Sequence, residues 1–215
     1  MAKIFDELLV KGEINALGGL RSRGMPVGVA TLGNVWFVDS GHANKSNNND
    51  GRNPNRPLAT INAAVNKATA NNGDYTIVAP GHTETIAAAT NLILDKAGIT
   101  IIGLGRGADR PTLTYSLAAG NIPISGAGVK MKNFLLLGTA GQDVTSPFTV
   151  TAADVELEDI ECRESGATVQ FKAVVTLGAG SDRCRIIRPI HRGHASGDAN
   201  EAAITCAAAV DGVYI

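Results

Sequence analysis

One pattern constrains this chain more than any other: a degenerate repeat that fills its second two-thirds. Each copy is a small residue, an alternating apolar run and a turn. The copies read Ala97-Gly98-Ile99-Thr100-Ile101-Ile102, then Ala127-Gly128-Val129-Lys130-Met131-Lys132-Asn133-Phe134, then Ala153-Asp154-Val155-Glu156-Leu157-Glu158-Asp159-Ile160. Gly180-Ser181-Asp182-Arg183-Cys184-Arg185-Ile186-Ile187 and Ala209-Val210-Asp211-Gly212-Val213-Tyr214-Ile215 continue the series. Anchored on Ile99, Val129, Val155, Asp182 and Asp211, the spacings are 30, 26, 27 and 29 residues. A period of this length, with two-residue alternation inside it and no helical stripe, describes a coil of strands. Such a coil buries its inward side chains only by stacking on the next. The sequence therefore predicts an all-β fold, a right-handed parallel β-helix.

Composition fits that reading. Apolar residues make up 44% of the chain but aromatics only 4%, and there are 25 glycines. Small and β-branched residues with frequent turns suit stacked strands joined by tight corners. The net charge of −1 favours neither nucleic acid nor an anionic membrane surface. No stretch approaches the roughly 18 apolar residues of a membrane span. The first ten residues lack the basic region and long apolar run of a secretion signal. Cys162, Cys184 and Cys206 form no CxxC and sit among alternating residues, so buried free thiols in a reducing cytosol are expected. Their equal spacing of 22 does not follow the repeat and is read as chance.

Residues 1–34 read as a separate arm and residues 35–215 as the β-helix. Within the arm, Ile4, Phe5, Leu8 and Leu9 share one face of a short helix, while Gly18-Gly19 and Arg21-Ser22-Arg23-Gly24-Met25-Pro26 are expected to break regular structure. An arm of this kind buries little of itself, so it is either disordered or ordered by a neighbour. Ile4, Phe5, Leu8, Leu9, Arg21 and Arg23 are the candidate partner-binding residues. Val35-Trp36-Phe37-Val38-Asp39 is strand-like and leads into a loop, Ser40 to Pro57, with six Asn and two Pro. In Thr60–Ala68 the apolar residues fall at 61, 64, 65 and 68, and Thr60 is a suitable N-cap, which predicts a short amphipathic helix inside a capping segment, 50–70.

Three stretches carry a resemblance. Asp50-Gly51-Arg52-Asn53-Pro54-Asn55-Arg56-Pro57-Leu58-Ala59-Thr60-Ile61-Asn62-Ala63-Ala64-Val65 is similar to the opening of pectate-lyase-like right-handed β-helices, where it forms a helix that plugs the first coil. Gly73-Asp74-Tyr75-Thr76-Ile77-Val78-Ala79-Pro80-Gly81-His82-Thr83-Glu84-Thr85-Ile86 resembles their first rung, with His82-Thr83 in place of the usual aromatic step. Ile101-Ile102-Gly103-Leu104-Gly105-Arg106-Gly107-Ala108-Asp109-Arg110-Pro111-Thr112 resembles the corner of the second. The resemblance covers about residues 36 to 215 and specifies fold far better than function, since lyases, hydrolases, phage tailspikes and virion decoration proteins share it. The combined wording is closest to tailed-phage virion proteins. It implies a non-enzymatic homotrimer that binds the major capsid protein or another virion protein, assembled in the host cytoplasm and carried in the virion. The helix would cover the N-terminal coil; Val213-Tyr214-Ile215 leaves an edge that further chain or a partner would cover.

The alternative is a tailspike-type polysaccharide lyase or hydrolase acting on a host surface glycan. Its carboxylates would come from Glu156, Glu158, Asp159, Glu161 and Glu164. Glu156 and Glu158 point outward from one strand about 7 Å apart by the strand rise, a separation two catalytic carboxyls can use. Solvated strand charges look the same. A 27-residue register puts Arg183 over Glu156 and Arg185 over Glu158, which predicts cross-coil ion pairs rather than free catalytic groups. Sugar-binding grooves stack rings on Trp and Tyr, and this chain has one Trp and three Tyr, scattered. A third class, a bacterial surface adhesin, would need an export signal. No cofactor or metal is expected. His191 and His194 lack a third ligand, Asn44 to Asp50 reads as a hydrogen-bonded turn rather than a calcium loop, and Gly103-x-Gly105-x-Gly107 as a corner between strands rather than a phosphate loop.

Overall fold

The computed structural model describes residues 20–22, 25–27, 33–139, 141, 143–166, 170–193 and 203–215. The chain divides into two units, residues 1–30 and 31–215. In the first unit, β1 (Leu20–Ser22) and β2 (Met25–Val27) pair antiparallel, with Arg21 opposite Pro26. Regular structure therefore occupies a stretch expected to interrupt it. Two short runs separated by two residues, the second a glycine, match the length and composition of a hairpin connection. Ile4, Phe5, Leu8, Leu9 and Arg23 lie outside the described residues.

In the second unit the chain is a parallel β-helix with one short helix, α1 (Ile61–Lys67). Three rows of stacked strands run along it. The first holds β3 (Val35–Val38), β4 (Tyr75–Val78), β6 (Thr100–Gly103), the start of β9 (Lys130–Gly138), the start of β11 (Glu156–Arg163) and β13 (Arg185–Ile187). The second holds β5 (Thr83–Ile86), β7 (Thr112–Tyr115), the ends of β9 and β11, and β14 (Ile190–Arg192). The third holds β8 (Ile122–Ile124), β10 (Phe148–Val150), β12 (Val175–Leu177) and β15 (Ile204–Cys206). Successive inward residues in register form the core: Ile101, Met131, Leu157 and Ile186 in the first row, Leu113, Leu136 and Cys162 in the second, Phe148 and Val175 in the third, all buried.

The small residues that open each repeat have a physical cause. Asn71, Gly98, Gly128, Asp154, Arg183 and Gly212 all adopt positive φ, from 55° to 71°. From Asn71 to Arg183, each donates its N–H to the carbonyl just before the next corner, as Gly98 does to Ala127 and Gly128 to Ala153 at 2.8 and 2.9 Å. A left-handed corner is open to glycine without penalty but strained for other L-residues. At Gly128 an added Cβ would meet only Gly98, at 3.9 Å, so the cost there is conformational rather than steric. Gly128→Ala should destabilise the fold by about 1 to 2 kcal/mol, and Gly128→Asn by less, because Asn tolerates this region. Urea denaturation of the two variants tests the ordering, and equal losses would point to a clash instead.

These corners also correct the repeat alignment. Asp154 stacks on Arg183, 29 residues on, and Glu156 on Arg185. The counterpart of Val155 is thus Cys184, not Asp182, and the 27-residue register is wrong by two.

The short helix forms as the sequence predicts. Thr60 Oγ1 accepts from Ala63 N at 3.3 Å, and Ile61, Ala64 and Val65 are buried. Cys162 and Cys184 are buried, but Cys206 is exposed. Cys206 occupies an inward register position beside Leu177, yet β15 is the outermost strand of its sheet among the described residues. The three cysteines fall in different parts of the coil, so their even spacing has no structural meaning.

Candidate functional site

β11 carries the chain's densest group of carboxylates. Its strand bends at Asp159, whose φ of 53° aligns with Asn133 (66°) before it and Arg188 (50°) after it. The bend lets one long strand serve two rows, so Glu156 and Glu158 face outward on one side of it and Glu161 on the other.

Every one of these carboxylates is matched to partners on neighbouring coils, though not to those the 27-residue register assigns. Arg183 binds Asp154 through two hydrogen bonds, 2.8 and 2.7 Å, rather than Glu156. Arg185 Nη1 lies 3.2 Å from Glu156, which also faces Lys130 at 4.0 Å. Glu158 takes Lys132 at 2.8 Å and Arg188, and Arg188 grips Asp159 at 2.7 and 2.9 Å. The hydrogen bond from Lys132 holds Glu158 below the usual carboxylate range, against the upward push of burial, with Arg188 adding to it. Arg188 does the same for Asp159.

Glu161 and Glu164 depart from the expected solvated face. Both are buried. Glu161 Oε1 accepts from Arg163 Nη2 at 2.7 Å and from Arg192 Nε at 2.7 Å, while its Oε2 takes Arg110. Burial pushes the Glu161 carboxyl up, but the bonds from Arg163 and Arg110 outweigh it and hold the group below its ordinary value. Glu164 Oε1 accepts from Phe171 N at 3.2 Å and contacts His191 Nε2 at 3.1 Å. Between them Cys162 faces the core, and burial pushes its thiol up. A raised thiol is a poor nucleophile.

These contacts limit the chemistry available. A glycosidase acid needs a carboxyl whose pKa is raised so that it holds its proton. Glu158, Asp159 and Glu161 are all displaced the other way, and guanidinium or ammonium groups occupy their lone pairs.

Other candidate positions resolve into structural roles. Asn49 Nδ2 donates to the carbonyls of Asn44 and Pro57, both at 2.8 Å, and Asn47 Oδ1 accepts from Ala59 N and Thr60 N at 3.0 and 3.1 Å. The loop is a hydrogen-bonded turn that docks the cap. Among the described residues no group of three or more His, Cys, Asp or Glu could hold a metal, and His194 lies outside them. Gly103 ends a strand at a corner where a Cβ would lie 2.3 Å from the Asn133 carbonyl, and Asn133 Nδ2 donates to the Gly103 carbonyl at 2.8 Å. A three-residue 3-10 turn, Gly107–Asp109, follows. Trp36 and Tyr115 are core residues, and Tyr115 Oη donates to the Pro147 carbonyl at 3.0 Å.

Sequence reasoning missed one polar chain. His82 is fully buried. Its Nδ1 accepts from Ser40 N at 2.9 Å, which places the ring proton on Nε2, 3.0 Å from Glu84 Oε1. Glu84 in turn accepts from Ile61 N at the start of α1, at 2.5 Å. The Thr83–Ile86 alternation placing Glu84 inward was the available signal, since a carboxylate at a core register position needs buried donors.

No family model matches the chain, and no curated protein matches it. Among solved structures, a rhamnogalacturonan lyase is similar, with a TM-score of 0.48 and 15% identity, over 84% of this chain and 51% of that one. The chain spans about half the length of that lyase.

Proposed function

We propose that this protein is a non-enzymatic structural component of a tailed-phage virion, a decoration (cement) protein that stabilises the head by binding the major capsid protein or another virion protein, as a homotrimer. One observation carries the non-enzymatic part: the outward carboxylates of β11, the best-placed acids for catalysis, are each bound to cations of neighbouring coils. Groups arranged in this way tie coil to coil, and none of these carboxylates stands apart from a cation. The virion assignment rests on the wording of the cap and first rungs. The arm is the docking element in this reading, with Ile4, Phe5, Leu8 and Leu9 supplying apolar contact and Arg21 and Arg23 charge.

Deleting residues 1–30 should leave the β-helix folded, by circular dichroism, and abolish co-sedimentation with capsids. Retained co-sedimentation would overturn the docking role. A screen of surface polysaccharides should show no turnover; cleavage lost on Glu156→Gln or Glu158→Gln would establish the enzyme instead.

A further inference from the structure

Along β11 each carboxylate but one meets at most two cations, as Glu156 does with Lys130 and Arg185. Asp154 faces Arg183 one to one, and Glu158 with Asp159 faces Lys132 with Arg188 two to two. Glu161 alone is met by three guanidiniums, from Arg110, Arg163 and Arg192. Arg163 and Arg192 are also direct register partners on β11 and β14, where like charges repel. Because both bond to the same Oε1, their guanidiniums lie side by side. Arg110 is enclosed, its side chain 11% exposed, and its Nε donates to the Gly107 carbonyl. Arg163 and Arg192 open to solvent at 42% and 62%. Arg163 Nη1 and both Nη atoms of Arg192 have no acceptor among the described residues.

We propose that Arg163 and Arg192 form a binding site for a tetrahedral oxyanion, a phosphate or sulfate group, with Glu161 and Arg110 as positioning residues. Two uncompensated positive charges match a dianion. A tetrahedral group offers oxygens in several directions and so can bond both guanidiniums at once. Leu137 is the register neighbour of Arg163 on the preceding coil and Ile190 that of Glu161, and apolar neighbours strengthen charge-assisted hydrogen bonds. The buried carboxylate fixes both arginines before any anion arrives, which lowers the ordering cost of binding.

The full chain should be titrated with inorganic phosphate, sulfate and acetate at constant ionic strength, following the arginine Nε–H resonances by NMR. Phosphate and sulfate should shift the Arg163 and Arg192 signals saturably in the millimolar range, with acetate about tenfold weaker. Arg163→Gln and Arg192→Gln should each weaken phosphate binding about tenfold, while Arg185→Gln, on another ion pair, should change it less than about twofold. Glucose 6-phosphate binding more tightly than phosphate identifies a group carried on a larger molecule, and equal binding identifies the free ion. Absent saturation, equal response to acetate, or an equal loss in Arg185→Gln would overturn the site.

Discussion

Glu161→Gln should lower the free energy of unfolding by about 3 kcal/mol, because removing one partner from a buried ion cluster leaves the others uncompensated. The isosteric amide keeps the volume and some acceptor capacity, so the loss is electrostatic. Arg163 and Arg192 retain solvent, which keeps the loss at the low end of the range for a broken buried pair. Glu156→Gln is the contrast: its partners Lys130 and Arg185 are more than half exposed, and the expected loss is below about 1 kcal/mol. Urea denaturation of the two variants beside the parent measures both. The folded-state pKa of Glu161 is depressed, so its stabilising effect is complete above the unfolded-state value of about 4.3 and disappears as pH falls through the lower native value. The parent should therefore lose stability between about pH 5 and 3 more steeply than Glu161→Gln. Parallel pH profiles would show that the carboxylate is not the source of the effect.

Why the burial of Glu161 was not legible in the sequence follows from what alternation reports. A two-residue period assigns a face, inward or outward, and Glu161 is on the outward face. It does not report that Arg110, 51 residues earlier, and Arg192, 31 residues later, close over that position. The misplaced Arg183 has a related cause. A slip of two residues preserves every inward and outward assignment, so the pattern Asp182-Arg183-Cys184-Arg185 fits Val155-Glu156-Leu157-Glu158 as well as the true register does. The marker that breaks the tie is the left-handed corner. At Gly98, Gly128 and Gly212 glycine announces it, but at Asp154 and Arg183 non-glycine residues hold the same conformation and hide it. The coil, the cap helix with its Thr60 cap, and the turn at 44–50 were all legible, because each depends on local sequence. Contacts between coils depend on register and were not.

Asp74 tests the cap in the same terms. It is 1% exposed and accepts four hydrogen bonds, from Asn34 N at 2.6 Å, Thr69 N at 2.8 Å, Asn72 Nδ2 at 2.7 Å and Asn34 Nδ2 at 3.3 Å. These join the residue preceding β3, the segment that leaves α1 and the turn into β4. Burial pushes the carboxyl up, but the backbone donors of Thr69 and Asn34, with the two amides, bring it below its ordinary value. Its contribution is thus present above the unfolded-state pKa and lost as pH falls below it. Asp74→Ala strands two backbone N–H groups, each costing about 1 to 3 kcal/mol where water cannot replace the acceptor. The expected loss is about 3 kcal/mol. Asp74→Asn keeps the size but turns an NH₂ toward donors, so it should cost nearly as much, and a mild Asp74→Asn would assign the effect to volume. The damage should also be local: amide exchange at Tyr75, whose N–H donates to the Asn34 carbonyl at 2.8 Å, should accelerate well beyond that in β11. Uniform acceleration in both places would mean that the cap and the coils unfold together, and that the first coil has no stability of its own to lose.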